Sequence, residues 1–149
     1  MNSHSKETYP QLLHKLQQQT KWYKTLLQLG EQETLALRNA DNQQLQKISQ
    51  DTHKAQTRIE QLDKQIKKLL NSYPDKNIVK RDQQISRLIK GIENLLTTLI
   101  KRNAMNVRVV QDELKQLREE LKHLAMVERI SRGYQKLPSV DSKFLDCTS

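Results

Sequence analysis

The sequence contains few of the residues that build tight turns or covalent cross-links. Its 149 residues include three Gly, three Pro and one Cys, and aromatic residues make up only 4%. Sandwiches, barrels and doubly wound sheets need many tight connections, so this composition excludes them. The single thiol, Cys147, excludes an intrachain disulfide and a metal site built on thiolates.

Long apolar runs are also absent. The longest unbroken apolar stretches span only a few residues, which excludes a membrane-spanning helix. The first residues are polar and contain no apolar core of a secretory signal. We therefore expect a cytoplasmic protein without stable insertion into a membrane.

The charge is basic overall but is not concentrated anywhere. Lys and Arg outnumber Asp and Glu by 26 to 17, which gives a formal net charge of +9. Residues 1–74 hold 11 basic and 7 acidic side chains, and residues 75–149 hold 15 and 10. A nucleic-acid-binding surface normally gathers its cations on one face or in one run. We therefore expect no nucleic-acid partner.

Motifs that carry catalytic chemistry are missing as well. The sequence has no Gly-rich phosphate loop, no nucleophile elbow and no pair of histidines at zinc-ligand spacing. A di-iron bundle would need inward-facing glutamates and histidines, and the apolar helix faces contain neither. We predict that the protein is not an enzyme and has no cofactor and no metal site.

Good helix formers dominate the rest, and apolar residues recur every three or four positions, as one face of a helix requires. This period predicts three helices, over about residues 8–38, 41–71 and 76–133. The helices are predicted to form a single domain of residues 1–134. Residues 135–149 lack helical periodicity, and we expect a flexible tail.

Local signals place the ends of these helices. Thr8 and Gln11 have the spacing of a capping box, and Pro10 suits a first helical turn. Asp41 is the predicted N-cap of the second helix. Gly133 is the predicted end of the third.

The predicted third helix carries an apolar seam along most of its length. Between residues 85 and 100 extra apolar residues widen this face, so it should contact two helices. Two successive steps of four around Asn103 predict a local unwinding of the supercoil. Asn103 either sets the register or lies at the seam edge, or it bonds to a bound chain. The predicted seam consists of Ile85, Ile89, Ile92, Leu96, Leu99, Asn103, Val107, Val110, Leu114, Leu117, Leu121 and Leu124.

The lengths of the helices predict an overhang. The first two have about 30 residues each, or roughly 45 Å, whereas the third has about 50, or roughly 75 Å. We therefore predict an all-α fold, an antiparallel three-helix bundle or coiled coil, with a long overhanging C-terminal helix. An exposed apolar seam on about 20 overhanging residues indicates a partner, either another copy of the chain or a different protein.

Three stretches of the chain carry a resemblance to a known family. A Leu-rich stretch with an acidic midpoint covers residues 26–37 and precedes Asp41. An Asn-containing stretch, residues 102–107, enters a Leu-periodic helix, and Tyr134 precedes a Ser-basic-apolar-apolar-Asp tail at residues 142–146. In these features the sequence resembles the bacterial flagellar export chaperones of the FlgN type. Helical export proteins of the FliT and FliJ types share the same composition.

The resemblance implies a cytoplasmic chaperone of flagellar type III export. Such a chaperone binds the C-terminal helical segment of hook-associated (hook–filament junction) proteins, prevents their premature assembly and delivers them to the export gate. By resemblance alone Tyr134 is a candidate contact for the export gate, and the alternative is that it packs onto its own bundle. A client helix would pack on the overhanging seam, and the expected client-binding residues are Val110, Leu114, Leu117, Leu121 and Leu124.

Two other classes of function stay open. A structural coiled-coil protein would use the same seam to form a homodimer or a larger assembly, without a client. A basic nucleic-acid-binding protein would bind DNA or RNA in a salt-sensitive way. The dispersed charges argue against the second class.

Overall fold

The computed structural model describes residues 3–75 and 77–135, with the side chains of residues 7–75 and 77–133. No strand occurs in this part of the chain, so the prediction of an all-α fold is confirmed. The described residues form the helices α1 Ser3–Arg38, α2 Asn42–Ser72, α3 Ile78–Arg81 and α4 Gln83–Gln135. None of these helices is both long and apolar enough to cross a bilayer.

The start of α1 differs from the prediction. The helix begins at Ser3, five residues before Thr8, so Pro10 lies inside it and the predicted capping box is wrong. Pro10 removes one hydrogen bond from the backbone ladder, and its ring crowds the carbonyl of the residue four positions before it. The turns that follow bury Leu12 and Leu16, and this packing stabilises the helix beyond the proline.

A tight turn joins α1 to α2. The backbone N–H of Asp41 donates to the carbonyl of Ala36 at 2.9 Å. The N–H of Ala40 donates to the carbonyl of Leu37 at 3.3 Å, and Ala40 has a φ of 52°. This is the Schellman arrangement, in which glycine usually takes the left-handed position. The Asp41 carboxylate then accepts the N–H of Gln44 at 3.1 Å, which confirms the predicted N-cap of α2.

The start of α4 is fixed by Asp82. Its Oδ1 atom accepts the backbone N–H of Ile85 at 3.0 Å, as an N-cap does. Its Oδ2 atom accepts the hydroxyl of Tyr9 at 2.8 Å, which ties this cap to α1. The four-residue α3 immediately before it is not predicted by the sequence pattern.

Helices α1 and α4 run parallel to each other. Tyr9 donates to Asp82 near the N-terminal end of each helix. Twenty-five residues further along α1, Thr34 bonds to Asn106, which lies 24 residues beyond Asp82. The two helices therefore advance together, and their register is the same at both ends.

Two buried clusters show that α2 runs antiparallel to α1. The early part of α1 meets the late part of α2, and the late part of α1 meets the early part of α2. The first cluster consists of Leu12, Leu16, Leu62, Ile66, Ile85 and Ile92. The second consists of Leu26, Leu29, Ala36, Ile48, Ala55 and Ile59. Full burial of a leucine side chain contributes about 1.5–3 kcal/mol, so these clusters hold the three long helices together.

The chain divides into two compact units, Met1–Val107 and Arg108–Ser149. The first unit holds both clusters, and the described part of the second consists of the last turns of α4. The single domain of residues 1–134 stays a prediction. The predicted tail begins at 135, which is the last residue of α4 instead, and residues 136–149 lie outside the described part of the chain.

Candidate partner-binding surface

The second unit exposes a row of large apolar side chains on α4. The five residues predicted to bind a client lie here, and between 40% and 62% of each side chain is exposed. We call them the leucine seam: Val110, Leu114, Leu117, Leu121 and Leu124. Exposed single leucines are common, whereas a continuous exposed row of this kind is a candidate interaction surface.

The spacing of the leucine seam keeps it on one face. Steps of four, three, four and three hold five side chains in line over 15 residues, or roughly 21 Å of helix. Met126, Val127 and Ile130 are also exposed, but they lie off this line because the alternating steps of four and three do not continue through them. The seam therefore has the length of a short helix-on-helix contact.

Charged side chains on the two sides of the seam have opposite signs. With Leu114 and Leu121 at heptad position a, Arg118 takes position e and Lys115 and Lys122 take position b. We call these three the basic flank. On the other side Glu113 and Glu120 take position g, and we call them the acidic flank. All five of these side chains are exposed.

A buried polar cluster lies near the end of the first unit. Asn106 is 3% exposed, and its Nδ2 atom donates to the Gly30 carbonyl at 3.0 Å. The hydroxyl of Thr34 has two acceptors in reach, the Gly30 carbonyl and Oδ1 of Asn106. A Cβ atom at Gly30 would stand 2.9 Å from Cγ of Arg102. The absence of a side chain at position 30 therefore allows α4 to approach α1 closely.

The sequence pattern placed the wrong asparagine in the seam. Asn103 is exposed, which fits its interpretation as a seam-edge residue, whereas Asn106 is the buried amide. Two steps of four, from Leu99 through Asn103 to Val107, rotate by about 80° away from the packed face. A step of seven, from Leu99 to Asn106, rotates by only about 20° and stays on it. The seven-residue spacing from Leu99 is therefore the feature of the sequence that indicates the burial of Asn106.

The described residues contain no group of three His, Cys, Asp or Glu side chains that could hold a metal ion. The side chains of His14, His53 and His123 are exposed. The second unit presents an apolar surface with cations on one side and glutamates on the other, and such a surface is suited to binding another helix.

Tyr134 lies in the last turn of α4. Its side chain lies outside the part of the chain that the structure describes. Its role at an export gate therefore stays a prediction from the resemblance.

Comparison with known proteins gives one finding. The model of the FlgN protein family matches residues 1–136, a range that includes all four helices. No curated protein and no solved structure matches the chain.

Proposed function

This chain belongs to the FlgN family of flagellar export chaperones, and we propose that it binds the C-terminal helical segment of a hook-associated protein on its leucine seam. The family match covers 136 of the 149 residues and supports the general role. The client and its position on the chain are our proposal. Binding takes place in the cytoplasm, before export.

The exposed leucine seam is the observation that carries this proposal. Its five apolar side chains lie in line on a helix face, and each has at least 40% of its surface exposed. An amphipathic client helix also has an apolar face to bury, because that face is exposed to water until the client assembles with other subunits. Packing the two faces together removes both from water and prevents premature assembly.

The chaperone must also release its client. A contact of roughly 21 Å between two helices is small compared with the interfaces of permanent complexes. Moderate affinity and a rapid off-rate follow, and both favour handover at the export gate. We propose Tyr134 as a contact for that step, on the resemblance of the chain end to the family. Binding and release need no covalent chemistry, so we propose a binding protein and not an enzyme.

Self-association is the alternative function. A second copy of the chain could cover the same leucine seam, and the protein would then be a structural coiled coil without a client. The two proposals predict different behaviour of the purified chain. A tight oligomer that ignores hook-associated proteins supports the alternative.

Paired aspartates in the seam test the proposal. Leu117→Asp with Leu121→Asp places two charges in the middle of the seam, and we expect client binding to be lost while the first unit stays folded. The matched control is Leu35→Asp with Ile100→Asp, because these side chains are equally large and exposed but lie outside the seam. The control should bind the client normally.

Size-exclusion chromatography with light scattering gives the readout. The wild-type chain is run alone and mixed with hook-associated proteins from the same organism, and each variant is run in the same way. A complex formed by the wild type and the control, but not by the seam variant, supports the proposal. If the seam variant binds normally, or if it unfolds the first unit, the seam does not have the role proposed here.

A further inference from the structure

We infer that the helix covering the leucine seam carries carboxylates along the edge that faces the basic flank, so that the client is an amphipathic helix with an acidic side. This inference rests on the proposed function and adds the chemistry of the partner. It follows from how charge is distributed around α4 in the second unit, not from how much charge there is.

The charges are balanced in number and sorted in position. Residues 108–129 contain five cations and five carboxylates, so the net charge of this stretch is zero. The e and b positions beside the seam carry only cations among their charged residues, whereas the g positions carry only glutamates. Positions e and g set partner choice and orientation in paired helices, because they meet the partner's flanks.

Within the basic flank, Arg118 has no carboxylate at helical spacing, whereas Lys115 and Lys122 have Glu119 within reach but form no ion pair with it. Arg118 has Lys115 three residues before it and Lys122 four residues after it, and its other neighbours at these spacings are Leu114 and Leu121. Like charges at these spacings destabilise a helix. Among the described residues, the second unit contains a single ion pair, between Arg132 and Glu128 at 3.8 Å. The three cations of the basic flank are therefore available to a partner.

A second copy of the chain satisfies this surface poorly. In an antiparallel pair, position e meets position e and position g meets position g. Arg118 would then face cations, and Glu113 and Glu120 would face glutamates. In a parallel pair Arg118 could meet Glu113 of the copy, but the corresponding contact of Glu120 is Ala125. Self-association therefore leaves most of the charged side chains of the basic and acidic flanks without a partner of opposite charge.

Nucleic acid is also a poorer match than an acidic helix. Single-stranded nucleic acid stacks its bases on aromatic side chains, and residues 108–133 contain no Phe, Tyr or Trp. Phosphates would have no use for the leucine seam and would be repelled by the acidic flank. An amphipathic helix with one acidic edge uses both the apolar seam and the basic flank.

Charge reversal of the basic flank tests the inference. The variant is Lys115→Glu with Arg118→Glu and Lys122→Glu, and the probe is the C-terminal segment of a hook-associated protein from the same organism. We expect the affinity to fall by at least about tenfold, because attraction is replaced by repulsion at three positions. Binding to the wild type should also weaken between about 50 and about 300 mM salt, whereas binding to the variant should strengthen with salt, because salt screens the repulsion.

Matched variants separate charge from damage to the helix. Asp112→Lys with Glu119→Lys reverses two charges at the f positions, on the far side of the helix from the seam, and should not lower the affinity, because it keeps the basic flank and only adds cations near it. Lys115→Gln with Arg118→Gln and Lys122→Gln keeps the side chains long but neutral and should give an intermediate loss. Exchanging the acidic residues along the client's edge for lysine should restore binding to the charge-reversed variant.

The outcomes distinguish the inference from the proposed function. If the wild type does not bind the segment at all, the proposed function is wrong and the inference falls with it. If the wild type binds and charge reversal changes neither affinity nor salt dependence, the function stands and the acidic edge is wrong. Tighter binding of the wild type to a short single-stranded DNA than to the segment, lost on charge reversal, would also overturn the inference.

Discussion

The two halves of α4 have the same apolar period but opposite surroundings. In the first half Ile85 and Ile92 are buried against α1 and α2, whereas in the second half Leu117 and Leu121 are about half exposed. Both halves follow steps of three and four, so the period identifies a face that has to be covered. The period alone does not show whether the residues that cover this face belong to the same chain. Because the apolar face of the second half is exposed, it is the candidate binding surface.

The ends of the two seams differ as well. The buried seam of α4 ends in the polar cluster of Thr34, Arg102 and Asn106, where hydrogen bonds with fixed geometry connect α4 to α1. Buried polar residues of this kind can specify register. The exposed seam of the second unit has no polar member between Val110 and Leu124. Packing on a seam built only of leucine and valine tolerates differences in the side chains of a partner helix.

Matched leucine truncations should show the largest contrast between the two regions. Leu62 is fully buried in the first cluster, so Leu62→Ala should lower the free energy of unfolding by about 2–5 kcal/mol. Leu117→Ala should lower it by less than about 0.5 kcal/mol, because its side chain is already half exposed. Urea unfolding followed by circular dichroism measures both. A loss above about 1 kcal/mol for Leu117→Ala would mean that the seam is covered by the chain itself.

A pair of asparagine substitutions probes the end of the buried seam. Asn106→Ala removes the amide that donates to the Gly30 carbonyl and should lower the free energy of unfolding by about 1–3 kcal/mol. Asn103→Ala, three residues earlier on the same helix, alters an exposed side chain and should change it by less than about 0.5 kcal/mol. Equal losses in urea unfolding would show that the buried hydrogen bonds do not distinguish the two positions.

Local signals in the sequence predicted the fold where the structure depends on neighbouring residues. The predicted second helix, residues 41–71, agrees with α2, Asn42–Ser72. Asp41 caps it as expected, because an N-cap needs only its own carboxylate and a backbone N–H three residues later. The all-α fold followed in the same way from the scarcity of turn-forming residues and from the apolar period.

Features that depend on distant residues could not be predicted in this way. The burial of Asn106 depends on Gly30, which lies 76 residues away, and α1 extends to Ser3 although the local sequence indicates a helix start at Thr8. The proposed client site has the same limitation. Its leucines are evident in the sequence, but the period that identifies them also describes the buried Ile85 and Ile92. Only the arrangement of the helices separates the two sets.

Lowering the pH should reduce the free energy of unfolding of the first unit because Asp82 becomes protonated. This is the smallest effect that we predict. The pKa of Asp82 lies below its ordinary value of 3.8, chiefly because its carboxylate accepts the backbone N–H of Ile85, with the Tyr9 hydroxyl adding to the shift. A lowered pKa means that the charged form stabilises the folded state above pH about 4, and that this contribution is lost as the pH falls through the folded pKa. Asn caps a helix about as well as Asp but does not titrate.

The test therefore compares wild type with Asp82→Asn in urea at several values between about pH 7 and about pH 3. The difference between their free energies of unfolding should shrink on acidification, by less than about 1 kcal/mol because solvent reaches the carboxylate. Glu33, whose pKa is raised by burial, acts in the opposite direction in both proteins, so it cancels in the difference. A constant difference over the whole range would show that the Asp82 carboxylate does not stabilise the start of α4 through its charge.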